Sequence, residues 1–318
     1  MIPLPEPLLI STDPATGGEV WRGAATTTGE VESAVAMARR AFAGWAALPQ
    51  ATRSEHVRAY ARVLESRAGN LAETIARETG KPLWEARTEV ASMIAKVDLS
   101  VAAQAERAGE RRSGTAFGQA VLRHRPHGVM AVFGPYNFPG HLPNGQIVPA
   151  LLAGNAAVFK PSELTPATGE AMVRAWADAG LPQGVLSLVQ GGRETGRALA
   201  DADIDGRLFT GSATTGAMLR RQFAERPGVM LALELGGNNP LVAWDGEVDE
   251  VAALVVQSAY VTTGQRCSCA RRLIVPDDGF GHDLTHAVAA LADRLRIGAW
   301  NDCPEPFMGP LVSDEAAR

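Results

Sequence analysis

The 318-residue sequence uses cysteine sparingly, with only Cys267, Cys269 and Cys303. An odd count this small excludes a disulfide framework and suits a reducing compartment, so we expect a cytoplasmic protein. The sequence also lacks an excess of basic residues, since 30 Lys and Arg face 35 Asp and Glu, for a net charge of −5. It therefore has no electrostatic footprint for nucleic acid, and we expect no such partner.

Long apolar runs are missing as well. The most apolar stretch, residues 147–159, is interrupted by Pro149 and Gly154 and is too short to span a bilayer. The proline-rich N-terminus lacks the basic start and apolar core of a signal peptide. We therefore expect no membrane partner.

The sequence does contain short apolar runs that alternate with helical periodicity. Residues 28–108 predict helices only, including one continuous helical stretch over 57–75 that Gly80-Lys81-Pro82 ends. From residue 129 to 233 five apolar strands alternate with helices, which is typical of a parallel sheet covered on both faces. After Pro240 the same alternation begins again.

These patterns predict an α/β fold of about two domains. A Rossmann-like parallel-sheet domain, which would bind the nucleotide, is expected from residues 1–108 and 128–236. Residues 237–318 would form part of a second, catalytic α/β domain. Residues 109–127 alternate polar and apolar side chains and predict a β-hairpin that projects from the body.

A cysteine at a turn is the centre of the predicted site. Cys267 follows a helical run and precedes an apolar strand, so its thiol can face a cleft. Only a few per cent of a free cysteine is thiolate at pH 7, yet that fraction is strongly nucleophilic, and Arg266 beside it favours the anion. Taken alone, a cysteine such as Cys267 is more often a structural thiol than a nucleophile.

Two further residues complete a constellation for aldehyde oxidation. Attack of Cys267 on a carbonyl leaves an alkoxide, for which the side-chain amide of Asn137 and the Cys267 N–H are the candidate donors. Loss of hydride to a nicotinamide leaves a thioester, and Glu234 is the candidate base that activates water. Taken alone, Glu234 could be a solvated carboxylate and Asn137 a turn residue.

The common GxGxxG fingerprint does not follow the first strand of the alternating region, so a dinucleotide needs other contacts. Lys160 and Glu163 follow a strand and could bind ribose hydroxyls. A carboxylate there would repel a 2′-phosphate, which favours NAD over NADP. A second loop opens a helix and suits a pyrophosphate, or is simple capping. It comprises Gly211, Ser212, Ala213, Thr214, Thr215 and Gly216.

A metal site is not expected. The pair Cys267 and Cys269 has the spacing of two ligands, but Cys303 is isolated and no second pair completes a four-ligand set. We interpret Cys269 as a packing residue.

Five motifs together, in this order and spacing, resemble the aldehyde dehydrogenase superfamily over essentially the whole chain. They are Pro135–Pro139, Lys160–Glu163, Phe209–Ser212, Glu234–Gly237 and Gly264–Cys267. Longer versions of three of them resemble most the members that oxidise a dicarboxylic semialdehyde in arginine breakdown. The resemblance implies NAD as cofactor, Cys267 as nucleophile, Glu234 as base and Asn137 in the oxyanion hole.

The resemblance also implies a homo-oligomer whose assembly uses residues 109–127. Family members continue well beyond a position like Arg318, so we expect an incomplete catalytic domain and little or no activity from these residues alone. The family often has Lys where Asn239 stands. We interpret this asparagine as a mark of a subfamily.

Substrate contacts rest on position alone. Phe138 and Leu142, expected on the helix after Asn137, and Arg266 and Ser268, which flank the cysteine, are the candidates. Arg266 could pair with a substrate carboxylate or be a surface residue. Three rival functions stay open: oxidation of another semialdehyde, acyl transfer to coenzyme A or phosphate, and a non-catalytic nucleotide-binding remnant. A water-activating Glu234 argues against acyl transfer.

Overall fold

The computed structural model describes residues 8–317, so the proline-rich residues 1–7 and Arg318 lie outside the described part. The chain begins with two antiparallel strands, β1 (Leu8–Thr12) and β2 (Glu19–Ala24). The turn between them is closed by a hydrogen bond from the Asp13 N–H to the Gly18 carbonyl, 2.8 Å long. This turn is where Asp, Pro and Gly in the sequence favour one.

Four helices follow, and they carry the apolar stripes that their periodicity predicts. They are α1 (Thr28–Ala47), α2 (Gln50–Ser66), α3 (Ala68–Thr79) and α4 (Leu83–Arg107). The prediction of one continuous helical stretch over 57–75 is wrong, because the chain breaks at Arg67 with φ −116° and ψ 10°. Gly80 ends α3 in the left-handed conformation, φ 75°, as its glycine predicts.

A five-stranded parallel sheet fills the centre of the structure. Its strands, in the spatial order β7-β6-β5-β8-β9, are β5 (Val129–Phe133), β6 (Ala156–Lys160), β7 (Leu186–Leu188), β8 (Gly206–Gly211) and β9 (Met230–Leu235). The connecting helices are α5 (His141–Leu152), α6 (Pro166–Asp178), α7 (Arg193–Asp201) and α8 (Ala213–Gln222). Every residue of β5 and β6 is buried, as expected for strands covered on both faces.

Alternate residues of the sheet pack into two cores. Met130 and Val132 face a core shared with α2 to α6, whereas Val129 and Ala131 face a core shared with α1, α7 and α8. The predicted parallel-sheet α/β fold is confirmed.

A second sheet begins after the first one ends. Strands β10 (Asn239–Val242) and β11 (Ala270–Ile274) pair in parallel and are joined by α9 (Val248–Tyr260) and a short 3-10 helix (Val261–Gly264). Helix α10 (Gly279–Ala292) packs on α9. Residues 313–317 form a bend and turns. The predicted domain boundaries stay a prediction.

The predicted hairpin consists of β3 (Arg111–Thr115) and β4 (Gly118–Leu122), which pair in antiparallel register. Every residue of both strands is exposed, and Phe117 at the turn is fully exposed. Among residues 8–317 no helix combines the length and apolarity needed to cross a bilayer.

Candidate active site

The predicted site residues lie at the carboxyl edge of the five-stranded sheet. Asn137 follows β5, Lys160 ends β6, Gly211 ends β8 and Glu234 is the penultimate residue of β9. Because β6 and β8 flank β5 on opposite sides, the strand order reverses at β5. Parallel sheets of this kind bind ligands in the crevice at such a reversal.

The cysteine turn begins with a strained backbone. Thr262, Thr263 and Gly264 all have positive φ, at 60°, 55° and 67°. Two threonines in this conformation are costly, and such strain persists only where the surroundings fix it. Side-chain bonds supply this support: the Thr262 hydroxyl donates to Glu85, and the Thr263 hydroxyl donates to the Gly309 carbonyl over 2.9 Å.

The turn sorts its two cysteines into different environments. Cys267 is exposed, whereas Cys269 is 2% exposed, with its thiol donating to the Gly264 carbonyl at 3.0 Å. Cys267 is thus the thiol that a substrate can reach. Cys269 packs inside, in the role that the sequence predicted.

Asn137 is joined directly to this turn. Its Nδ2 donates to the Gln265 carbonyl over 2.7 Å, and its Oδ1 accepts from the Phe138 N–H at 3.0 Å. The amide nitrogen carries two hydrogens, and this bond uses one of them. This bond leaves the second hydrogen for another acceptor, and an oxyanion donor needs such a free hydrogen.

A second asparagine holds the other side of the turn. Asn239 at the start of β10 donates from Nδ2 to the carbonyls of Cys267 and Cys269, over 2.7 and 3.1 Å. The sequence marked this residue only as a departure from the family. Its role is visible only once β10 and β11 pair.

Glu234 is exposed near the end of β9, with Thr210 of β8 as its register partner. Within residues 8–317 its carboxylate makes no hydrogen bond or ion pair, so the structure does not bring it into contact with Cys267. Gln146 of α5 donates to the Thr210 hydroxyl at 3.0 Å, a contact that no sequence pattern indicated.

Lys160 and Glu163 face each other at the end of β6. Lys160 is 6% exposed, and its Nζ lies 3.6 Å from Glu163 Oε2. Burial lowers the pKa of Lys160, while the nearby Glu163 carboxylate raises it. A buried ammonium beside an exposed carboxylate provides one donor and one acceptor, which fits two hydroxyls of a ribose.

The loop from Gly211 to Gly216 forms the start of α8. The Ser212 hydroxyl caps the helix by accepting from the Thr215 N–H at 3.1 Å, while Ala213 and Thr214 are exposed. A Cβ at Gly216 would lie 2.7 Å from the Leu235 side chain, so α8 packs closely on β9. The exposed N-terminus of α8 therefore lies beside the strand that carries Glu234, and it fits a pyrophosphate.

The four residues predicted to contact the substrate differ in their exposure and in their hydrogen bonds. Phe138 lies in the turn before α5 rather than on the helix, while Leu142 is half-buried within α5. Ser268 is exposed beside Cys267. Arg266 is bound to protein groups: Nη2 lies 3.2 Å from Glu85 and Nε donates to the Thr262 hydroxyl over 2.7 Å. This leaves its guanidinium only partly available to a substrate carboxylate.

Metal-ligand clusters and cavities are two other kinds of candidate site. Among residues 8–317 no three His, Cys, Asp or Glu side chains cluster as a metal site requires. A cavity of about 670 Å³ lies between α1 and α6, near Met37, Trp176 and Leu188, and includes none of the predicted site residues.

Comparison with known proteins identifies the class. The model of the aldehyde dehydrogenase family matches residues 6–318, and the chain belongs to this family. The chain is 62% identical over 312 residues to an enzyme of Caulobacter vibrioides named N-succinylglutamate 5-semialdehyde dehydrogenase 2. That match covers 98% of this chain and 64% of the relative, so the chain spans less than two thirds of that relative's length.

Solved structures agree with this assignment. An aldehyde dehydrogenase of Mycobacterium tuberculosis complexed with NAD+ has a TM-score of 0.90 at 31% identity, covering 98% of this chain and 65% of that one. An NADP-dependent glyceraldehyde-3-phosphate dehydrogenase of Bacillus halodurans C-125, complexed with NADP, has a TM-score of 0.88 at 29% identity, covering 98% and 66%. Both cofactors therefore occur among similar structures.

Proposed function

We propose that the protein to which this chain corresponds oxidises N-succinyl-L-glutamate 5-semialdehyde to N-succinyl-L-glutamate in arginine catabolism, with NAD as cofactor. The observation that carries the proposal is the exposed Cys267 in a strained turn held by Asn137 and Asn239. The proposed substrate is the semialdehyde after which these relatives are named, and the family's chemistry is the oxidation of aldehydes. The finer choice of semialdehyde rests on that name alone.

The proposed mechanism assigns one step to each residue. The Cys267 thiolate attacks the aldehyde carbon, and the second Nδ2 hydrogen of Asn137 stabilises the oxyanion that forms. A bound nicotinamide supplies the hydride acceptor, and Lys160, Glu163 and the start of α8 would hold its nucleotide. Glu234 then removes a proton from the water that releases the acid from Cys267.

Replacing Cys267 by Ser tests the nucleophile. We expect Cys267→Ser to lower NADH formation from the semialdehyde by roughly 10³-fold or more, because a serine hydroxyl without a base is a poor nucleophile. Cys303→Ser is the control, since Cys303 is also exposed. The assay uses this chain and a version as long as its relatives, with the product identified by mass. Parental turnover in Cys267→Ser would reject the mechanism.

Glu163→Gln tests the choice of NAD. Removing the carboxylate should tighten NADP binding roughly tenfold relative to NAD, since it removes repulsion of a 2′-phosphate. Calorimetric titration with both cofactors measures this ratio. Glu225→Gln, at an exposed position after α8, is the matched control. An unchanged ratio would show that Glu163 does not face the ribose.

The family resemblance also supports assembly through the β3–β4 hairpin. All residues of its strands are exposed, and in the described structure the strands pair only with each other. Such strands have edges available to a second copy of the chain. A homo-oligomer of the full-length protein is therefore part of the proposal.

A further inference from the structure

Two buried carboxylates lie one helical turn apart at the start of α4. The side chains of Glu85 and Glu89 are both 0% exposed. Residues four apart share one helix face, so both project toward the same side of α4. Charges this deeply buried are costly unless partners satisfy them, and the partners reveal what the carboxylates hold.

Glu89 holds the segment that carries Asn137. Its Oε1 accepts from the backbone N–H groups of Gly140 and His141 at 2.9 and 3.0 Å. Its Oε2 binds Lys81 Nζ at 2.7 Å, and the same ammonium donates to the Asn137 carbonyl at 2.7 Å. The ion pair therefore fixes the backbone on both sides of Phe138.

Glu85 holds the segment that carries Cys267. Its Oε1 accepts from the hydroxyl of Thr262 and pairs with Arg266 Nη2 at 3.2 Å. Thr262 is the first residue of the strained turn, and Arg266 directly precedes the nucleophile. Glu85 thus stabilises the positive φ at Thr262 and the direction in which the chain leaves the turn.

We infer that Glu85 and Glu89 are positioning residues that set the nucleophile turn and the amide-donor segment against each other through one helix turn of α4. The inference rests on the proposed function for its catalytic meaning. The two segments meet at the Asn137–Gln265 hydrogen bond, and each is tied separately to α4. A small displacement of either would move the donor away from the oxyanion, and such misplacement costs roughly 10²-fold in rate.

Hydrogen exchange of this chain tests the two ties without requiring activity. Glu89→Gln should make the amides of Gly140 and His141 exchange about tenfold faster, and Glu85→Gln should do the same for residues 263–268. Each effect should stay within its own segment. Glu106→Gln is the control, because Glu106 is an exposed residue of the same helix. Parental exchange in both segments, or acceleration throughout the chain, overturns the inference.

Two further variants cover the case in which a charge change prevents folding. Thr262→Val removes the bond to Glu85 without changing any charge and should accelerate exchange only in residues 263–268. Replacing Lys81 by Met together with Glu89 by Leu removes both buried charges, which proteins often tolerate. It should accelerate exchange only at Gly140 and His141. Unchanged exchange in these variants also overturns the inference.

Turnover of the version as long as its relatives tests the catalytic meaning. Glu85→Gln and Glu89→Gln should each lower kcat by roughly 10- to 100-fold with KM for NAD unchanged. Faster local exchange with parental kcat overturns the positioning role. If the parent itself forms no NADH, the proposed function fails, while the exchange results still decide whether α4 holds both segments.

Discussion

Asn239 illustrates how much one side chain can fix at the residue scale. Its single amide nitrogen donates to two carbonyls of the cysteine turn, those of Cys267 and Cys269. A lysine ammonium would present three donors on a flexible stem, whereas the planar amide fits two acceptors with two hydrogens. The departure from the family pattern therefore has a physical reading in this fold.

Asn239→Ala should loosen the cysteine turn. Losing two hydrogen bonds of about 1 kcal/mol each should raise the alkylation rate of the buried Cys269 by iodoacetamide roughly 5- to 30-fold. Peptide mass spectrometry follows each thiol, with Cys303 as an internal standard. Asn238→Ala is the control, since Asn238 is exposed and within residues 8–317 its side chain donates to no carbonyl of the turn. An unaltered Cys269 rate would show that Asn239 does not hold the turn.

At the residue scale, the sequence indicated which residues are candidates for the site, but not their backbone conformation or their contacts. It distinguished Cys267 from Cys269 and selected Asn137, because these residues stand in short, characteristic motifs. It did not indicate the positive φ of Thr262 and Thr263, since threonine has no preference for that region. The supporting residue, Glu85, is far away in the chain, and only folding brings it to the turn.

At the scale of elements, Glu78 joins three pieces of secondary structure. It lies on α3 and accepts from Thr168 and the Ala167 N–H at the start of α6, and from the Ser11 hydroxyl of β1. A carboxylate at a helix N-terminus satisfies donors that the helix leaves free. Burial nevertheless raises the pKa of Glu78, and the hydrogen bonds only partly oppose this.

Glu78 should therefore make stability depend on pH. Because the pKa is higher in the folded state, Glu78 binds more protons there, and its contribution falls as the pH rises from the ordinary glutamate value through the folded pKa. Urea unfolding across pH 4 to 7 should show the parent losing stability relative to Glu78→Gln as the pH rises. Glu73→Gln, an exposed change on α3, should follow the parent. A constant difference between parent and Glu78→Gln would contradict this.

Element boundaries were predictable where the chain itself marks them. The end of α3 at Thr79 agrees with the prediction, since Gly80 and Pro82 directly follow it. The break between α2 and α3 was not predictable. Arg67 is neither glycine nor proline, and the apolar spacing continues across it. Both α2 and α3 pack on α4 and on α6, and these contacts are tertiary, so the local sequence does not indicate the bend.

At the scale of the whole molecule, the two sheets have very different cores. The five-stranded sheet is packed on both faces, whereas the cluster under β10 and β11 has only Ala243, Ala252 and Leu284 as buried members. Trp244 and Leu254 in that part are more than 60% exposed, at 65% and 63%. Hydrogen bonds also join residues 239–317 to the rest of the chain, among them Asn137 to Gln265 and Thr262 to Glu85.

Two further hydrogen bonds of this kind lie at the first turn of α4. The Leu83 N–H donates to the Trp300 carbonyl at 3.0 Å, and Trp84 Nε1 donates to the Pro306 carbonyl at 3.0 Å. Two segments that are remote in sequence are joined here by one helix end. Opening of residues 296–312 should therefore depend on α4.

Native-state hydrogen exchange should resolve this hierarchy. Segments with little buried apolar surface open at lower free energy, so α9 and α10 should exchange faster than β5 and β6. Trp84→Phe keeps an aromatic side chain but removes the hydrogen bond to the Pro306 carbonyl. Exchange in residues 296–312 should become roughly fivefold faster, because one hydrogen bond contributes about 1 kcal/mol. Exchange in the five-stranded sheet should not change. Trp21→Phe is the control. It removes the hydrogen bond from the Trp21 indole N–H to Glu170, remote in sequence from residues 296–312, and should leave their exchange rates unchanged. Equal protection of α9 and β5 would show instead that the chain opens as a single unit, with the second part as stable as the first.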